Sequence, residues 1–505
     1  MSYLSRFRGC WIVSVLVVLC AVGLCATPAV GAQEVVAINT HATTTPFPHF
    51  WEEMFGSGHA ILSLRAAYRR DLRTVKGATD FEYVRFHGIL DRGVDVYNED
   101  AHGNPVYNFG YVDEIYDGLV KNGIRPVVEL SFMPPKLAFN PYDLHVFWYH
   151  PNVSPPKSWQ AWDGLITALA QHLVKRYGIN EVSKWYFEVW NEPNIDFWGG
   201  IPRQASYFQL YAHTARDLKK VSPRLRVGGP ATAHAAWIPA FLAYDAKHHV
   251  PIDFVSSHGY ADDTDENLFH SHKFVPEDDR VCRAIEMVQN QIHASAFPNL
   301  PLLWTEWNVQ GLDDSRDTTF VGPAVANTIR QCDGHVTMMS FWTFDDVFEE
   351  GGPIPTPFQG HFGLIAKGGI KKPSFYGFAL LHQLGNRRIP IQSKNAIATI
   401  ASDGSLRVAA WNLVDPGTHG STKTMTLEFS GVAANAPVSI ERVDQNHGNV
   451  LPKYHAMGSP VDPTPAQVAE LNRETALGPP ERTHLTSSKL TLTLTPNALF
   501  LVKIQ

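Results

Sequence analysis

Between about Phe50 and Leu384, eight short, apolar, β-rich runs alternate with stretches of helical periodicity. This alternation constrains the chain more than any other feature, because it marks repeated βα units built around a parallel sheet. The strand candidates are Glu53–Gly58, Tyr83–His87, Arg125–Ser131, Lys184–Asn191, Arg226–Pro230, Phe254–Ser257, Leu302–Glu306 and Met338–Thr343. Between them, Trp159–Tyr177 carries Trp162, Leu165, Ile166, Leu169, Leu173 and Val174 at helical spacing, and Gln204–Val221 and Asp279–Ala294 read likewise. An open doubly wound sheet alternates in the same way. Eight units without a Gly-rich phosphate loop favour a closed (β/α)8 TIM barrel, an α/β fold, over residues 50–385.

After Gly385 the texture changes. Ala396–Ile400, Leu406–Leu413, Thr424–Phe429, Val438–Val443, Lys489–Leu494 and Ala498–Ile504 are short β-branched or alternating runs divided by turn residues. Residues 386–505 therefore read as a β-sandwich. Asp444–Thr486 is richer in Pro and polar residues, with one short helical pattern at Pro465–Leu471. A lone strand, Glu34–Asn39, lies within residues 33–49 and is expected to dock on the sandwich.

Residues 1–32 have the layout of an export signal. Arg6 and Arg8 precede an apolar run from Trp11 to Ala26, and Val30-Gly31-Ala32 offers a cleavage point. The run is shorter than the roughly 20 residues of a spanning helix, so a periplasmic or secreted protein is expected, with no membrane contact after cleavage. Removing this segment takes two arginines and no acids from 42 basic and 49 acidic residues, leaving 40 − 49 = −9. A balance that acidic, without a run of Lys or Arg, argues against a nucleic-acid partner. Of five cysteines only Cys282 and Cys332 remain in the mature chain. They form either a disulfide, which an oxidising compartment allows, or two buried thiols. No Cys-x-x-Cys or His-x-x-x-His pair at ligand spacing stands out, so neither metal nor cofactor is expected.

Two of the strand candidates end in a carboxylate among aromatics. Trp185-Tyr186-Phe187-Glu188-Val189-Trp190-Asn191-Glu192-Pro193 stops at a proline, which cannot donate to a ladder, so Glu192 projects where the strand ends. Leu302-Leu303-Trp304-Thr305-Glu306-Trp307-Asn308 places Glu306 in an apolar run, where an ionised group is costly without a purpose or a partner. On the fourth and seventh strands they face each other across a barrel mouth. Two facing carboxyls are the equipment for cleaving a glycosidic bond, and in the retaining form they stand about 5–5.5 Å apart.

These motifs resemble glycoside hydrolase family 39, the β-xylosidase and α-L-iduronidase family of the retaining barrel clan, over nearly the whole mature chain. The resemblance implies that Glu192 is the acid/base and Glu306 the nucleophile. Ser256-Ser257-His258-Gly259-Tyr260 resembles the family's sixth-strand segment, which makes His258 and Tyr260 pocket residues. Phe341-Trp342-Thr343-Phe344-Asp345-Asp346-Val347-Phe348-Glu349-Glu350 resembles its eighth-strand signature, with Trp342 as a wall and Glu349 and Glu350 reaching sugar hydroxyls. His87 stands where a pocket His is expected. Asn191 is placed to bond a sugar hydroxyl, and Phe132 and Trp198 are further wall candidates. Arg85 is expected to pair with Glu188 or with a catalytic carboxylate. The chain departs from the family pattern at Val309-Gln310-Gly311-Leu312-Asp313, where xylosidases carry a pocket Tyr. Arg316 is the one tempting partner for a uronate.

The implied function is an exo-acting β-xylosidase that releases xylose from short xylo-oligosaccharides with retention. A second reading keeps the mechanism and changes the substrate to an α-L-arabinofuranoside or an exopolysaccharide. A third, a non-catalytic carbohydrate-binding protein, sits poorly with two glutamates in intact contexts.

Overall fold

A computed structural model describes residues 33–504. Residues 1–32, where the export segment is expected, lie outside the described residues. Eight parallel strands close into a barrel in sequence order: Met54–Gly56, Tyr83–Arg85, Arg125–Glu129, Tyr186–Glu188, Arg226–Thr232, Phe254–His258, Leu302–Trp307 and Met338–Phe341. Both faces of each strand are covered, which is why the runs are almost wholly apolar rather than alternating. The closed barrel expected from the eight βα units is present.

Period-2 alternation then stacks the inward-facing side chains in layers. Met54, Tyr83, Val127, Phe254, Leu303 and Met338, with Tyr186 against them, form an apolar floor. Two residues further along the same strands stand Gly56, Arg85, Glu129, Glu188, Ser256, Thr305 and Ser340. The core thus changes from hydrocarbon to charge within one pleat. Two irregularities adjust the next layer. The pairing of Phe254–His258 with Leu302–Trp307 shifts between Ser257 and His258, bringing His258 opposite Glu306, and the pairing with the eighth strand shifts between Trp304 and Trp307. A bulge of this kind re-aims a side chain, here Glu306 into the mouth beside Thr305.

The helix Trp159–Tyr177 has the bounds its apolar spacing predicts. The Ser158 hydroxyl accepts from Ala161 N–H at one end, and Gly178 closes the other. The fourth strand is shorter than expected. It stops at Glu188 rather than Asn191, because Trp190 and Glu192 adopt left-handed backbone (φ 72° and 41°). Glu192 N–H donates to Ala231 O at 2.8 Å, which anchors this turned segment to the fifth strand.

In the C-terminal region a seven-stranded sheet faces a three-stranded one. Gln33–Asn39 pairs in parallel with Lys423–Ser430, which also pairs with Lys489–Leu494. Val36, Ile38, Met425, Leu427, Leu490 and Leu492 pack between the sheets against Ala398, Val408 and Val502. The Pro-rich insertion carries two helices, Leu451–Ala456 and Pro465–Glu474, the second opened by a Thr464–Gln467 capping box. Cys282 and Cys332 are joined by a disulfide between neighbouring barrel helices, with Cα atoms 5.1 Å apart.

Candidate active site

The site is built on Arg85, which has no solvent exposure. Its guanidinium donates from Nε to Glu188 Oε2 (2.5 Å), from Nη1 to Glu306 Oε1 (2.6 Å) and from Nη2 to Asn191 Oδ1 (2.9 Å), and Nη2 forms an ion pair with Glu129 Oε2 at 2.8 Å. Burial alone would lower its pKa. The Glu188, Glu129 and Glu306 carboxylates outweigh that and raise it. A fork with this many partners holds three carboxylates in fixed relative positions.

His87, two residues on, gives Nδ1 to Glu129 Oε2 at 2.7 Å. Burial disfavours its charge, but Glu129 more than compensates, and its pKa rises to about 10. Glu129 is held in turn below the ordinary carboxylate range: burial raises it, and His87 and Arg85 overcome that rise. Ser131 Oγ also donates to Glu129. The outer edge of His87 faces the pocket, with Nε2 3.6 Å from Glu350 Oε1 and 3.8 Å from Glu306 Oε1.

Glu306 is nearly buried and accepts from Arg85 on Oε1 and from the Tyr260 hydroxyl on Oε2 (2.7 Å). Burial raises its pKa, and the Arg85 cation is among the groups that oppose the rise. Burial and the nearby carboxylates keep Tyr260 a phenol, well above its usual range. Glu192 differs. The one hydrogen-bond partner of its carboxyl among the described residues is His258, whose Nδ1 lies 2.9 Å from Oε1. Burial pushes its pKa up to about 7, and the more distant His87, His234 and Arg85 only moderate the rise. One oxygen each of Glu192 and Glu306 and a nitrogen of His258 all lie within 4.8 Å of one another.

The walls are aromatic. The Trp342 ring lies 4.9 Å from that of His87, tilted by 38°, and 5.8 Å from the Arg85 guanidinium carbon. It fits because position 56 is glycine: a Cβ there would stand 2.1 Å from the indole. Phe132 sits 6.0 Å from His87 and edge-on to Trp190. Glu192, Glu306, Asn191, His87, His258, Tyr260, Trp342, Phe132 and Glu350 therefore converge. Trp198 and Glu349 do not join them. Trp198 is buried behind Trp190, 5.0 Å ring to ring, with its N–H donating to Ser206. Both oxygens of Glu349 are held by Arg65, at 2.5 and 3.0 Å.

Sequence reading passed over Glu129, Ser131, Thr305 and Arg65. Glu129 carried the signal that marked Glu306, an apolar strand ending in an acid. The Arg65 pairing spans 284 residues and left no local trace. For a cation, His49 and Glu52, just before the first barrel strand, also have ligand spacing with His382, and the close approach there is accounted for by hydrogen bonds of 2.6 and 2.9 Å to Glu52 Oε1.

Two carboxyls at this separation, one paired with Arg85 and Tyr260 and one pushed up to about 7 without such partners, suit acid-assisted displacement at an anomeric carbon. The model of the glycosyl hydrolases family 39 matches residues 34–483. A β-xylosidase of Geobacillus stearothermophilus is 36% identical over 84% of this chain and 86% of its own length. One from Caldicellulosiruptor saccharolyticus is 37% identical over 85% and 88%. The crystal structure of a monomeric β-xylosidase from Caulobacter crescentus CB15 superposes with a TM-score of 0.84 at 32% identity, covering 94% of this chain and 99% of that one. The chain belongs to glycosyl hydrolase family 39.

Proposed function

We propose that this protein is a retaining, exo-acting β-xylosidase that releases xylose from xylo-oligosaccharides. Glu306 attacks the anomeric carbon while Glu192 protonates the leaving oxygen; Glu192 then takes a proton from the water that hydrolyses the glycosyl ester. The observation that carries the reading is the approach of Glu192 and Glu306 oxygens to within 4.8 Å. That is too close for a water to stand between them and the substrate, as inversion requires, at about 6.5–9.5 Å. Glu306 keeps its charge through Arg85 and Tyr260; Glu192, without such partners, keeps its proton. The names of the relatives support xylose as the sugar. A uronate reading is disfavoured because the Arg316 guanidinium is already engaged by Asp262 and by Val309 O at 3.0 and 3.1 Å. Turnover of nitrophenyl-β-xyloside beside nitrophenyl-α-arabinofuranoside tests the assignment. Preference for the arabinoside would move the substrate, and no turnover of any glycoside would remove the enzyme reading.

Export is part of the same proposal. The Cys282–Cys332 disulfide supports an oxidising compartment. Cell fractionation of the full chain tests it, with cytoplasmic retention of uncleaved protein as the contrary result.

A further inference from the structure

Thr305 sits between two groups that compete for its single hydroxyl hydrogen. Its Oγ1 lies 2.8 Å from Glu188 Oε1 and 3.1 Å from His258 Nε2. The Glu188 carboxylate is fully buried; Oε2 takes Arg85 Nε, and Thr305 is the partner of Oε1. A hydrogen bond to a charged acceptor is worth roughly twice a neutral one, and baring a buried charged oxygen is costlier still. The hydrogen therefore goes to Glu188, and Thr305 meets His258 as an acceptor.

That fixes the tautomer of His258. Nε2 must carry the hydrogen. The ring has no solvent exposure, and burial outweighs the pull of Glu306, whose Oε1 lies 3.7 Å from Nδ1, and of the more remote Glu188 and Glu129; with Arg85 adding to the effect of burial, the pKa falls to about 4 and the ring remains neutral. A neutral imidazole with Nε2–H has a bare lone pair on Nδ1. Nδ1 faces Glu192 Oε1 at 2.9 Å, where two lone pairs would repel. Only a hydrogen on Glu192 makes that contact a bond.

We propose that Arg85, Glu188, Thr305 and His258 form a one-way hydrogen-bond chain that holds the carboxyl proton on Glu192 in the resting enzyme. Thr305 and His258 are positioning residues for the acid/base, and the proposal rests on Glu192 having that role. In the first step the proton passes from Glu192 to the glycosidic oxygen, the C–O bond breaks with its electron pair going to that oxygen, and Glu306 bonds to the anomeric carbon. The carboxylate left behind faces the Nδ1 lone pair, which strengthens it as the base that takes a proton from water in the second step. The other charges facing Glu192 and His258 are Glu306, His87, Arg85, Glu129, Glu188 and the His234–Asp263 pair at 3.3 Å. Of these only Glu188 loses a partner on substitution of Thr305 by valine, and it stays paired with Arg85 through Oε2.

Thr305→Val keeps the shape and removes the acceptor. His258 is then free to carry its hydrogen on Nδ1 and donate to Glu192, stabilising the carboxylate. The basic limb of the kcat/KM profile on nitrophenyl-β-xyloside should move down by about one pH unit. Thr305→Ser should restore the wild-type profile. Independently, 15N spectra of histidine-labelled wild-type enzyme should show His258 as the Nε2–H tautomer, its signals identified by their loss in His258→Gln. An Nδ1–H tautomer in the wild type overturns the proposal. So does an unmoved basic limb in Thr305→Val that melts like the wild type. If Thr305→Val does not fold, the wild-type tautomer decides alone. Failure of the acid/base assignment is a separate result: Glu192→Ala would then lose equally on activated and unactivated glycosides, whereas the tautomer is read without turnover.

Discussion

Arg85 Nη1 stands 2.6 Å from Glu306 Oε1, and the same guanidinium holds Glu129 and Glu188. With His87 raised to about 10, two cations face three carboxylates in one buried cluster. The cluster carries a single surplus negative charge, the one the proposed nucleophile needs. A further ionised carboxyl would add a second in a medium that screens poorly, and Glu192 is the group that keeps its proton instead.

Arg85→Lys should therefore do more than weaken one contact. An ammonium cannot reach four acceptors in a plane, so at least one buried carboxylate loses its partner. Breaking a buried pair of this kind costs about 3–5 kcal/mol. The urea midpoint should fall accordingly, and kcat/KM should drop by about a thousandfold from misplacement of Glu306. Near-native activity would mean that Tyr260 alone suffices.

Retention of configuration follows from the approach of Glu192 and Glu306 oxygens to within 4.8 Å. Proton NMR of freshly cleaved substrate should show the β-anomer of xylose first, with the α-anomer growing in only by mutarotation. The α-anomer appearing first would rule out double displacement.

The two glutamates should separate by leaving group. Glu306→Ala should lose essentially all activity on every glycoside. Glu192→Ala should lose least with dinitrophenyl-xyloside, whose leaving group needs no proton, and azide should restore its slow second step as a xylosyl azide. In the parent enzyme the basic limb of kcat/KM should fall near pH 7, where Glu192 gives up its proton. Parallel losses in Glu192→Ala across leaving groups would contradict the division of roles.

Much of this arrangement was legible in the chain. Strand-ending acids within apolar runs located Glu192 and Glu306, because a buried carboxylate in such a run needs a purpose. The helix at Trp159–Tyr177 was readable because its apolar spacing and both caps are local. The turn at Trp190 and Glu192 was not: β-rich composition carries no sign of left-handed backbone, so the fourth strand read three residues too far at its C-terminal end. Trp198 and Trp342 look alike in sequence. Only packing puts one behind Trp190 and the other against His87. The Arg65–Glu349 pair and the Cys282–Cys332 bond join positions remote in sequence, and no periodicity encodes them.

The disulfide closes a separation of 50 residues between two barrel helices. Chain-entropy arguments assign such a cross-link about 4 kcal/mol, through restriction of the unfolded state. Cys282→Ser/Cys332→Ser should lower the urea midpoint by a corresponding amount while leaving kcat/KM near that of the parent, since neither cysteine touches the site. An unchanged midpoint would show that the two helices are held by packing alone.

Asp245 makes stability fall as pH rises. It lies on the helix Ile238–His248 with no solvent exposure, and neither carboxyl oxygen has a hydrogen-bond partner among the described residues. Burial pushes its pKa up to about 8, against about 3.9 in an unfolded chain. Between those values the folded protein holds a proton that the unfolded chain has released. The unfolded state binds fewer protons there, so the free energy of unfolding decreases as pH rises through that window. Asp245→Asn keeps the shape and removes the titration. Wild type and variant should be compared by urea unfolding at pH 5 and pH 8, so that every other titrating group cancels in the difference. The variant should gain on the wild type at pH 8 relative to pH 5. Parallel profiles would mean that Asp245 finds a partner or water in solution.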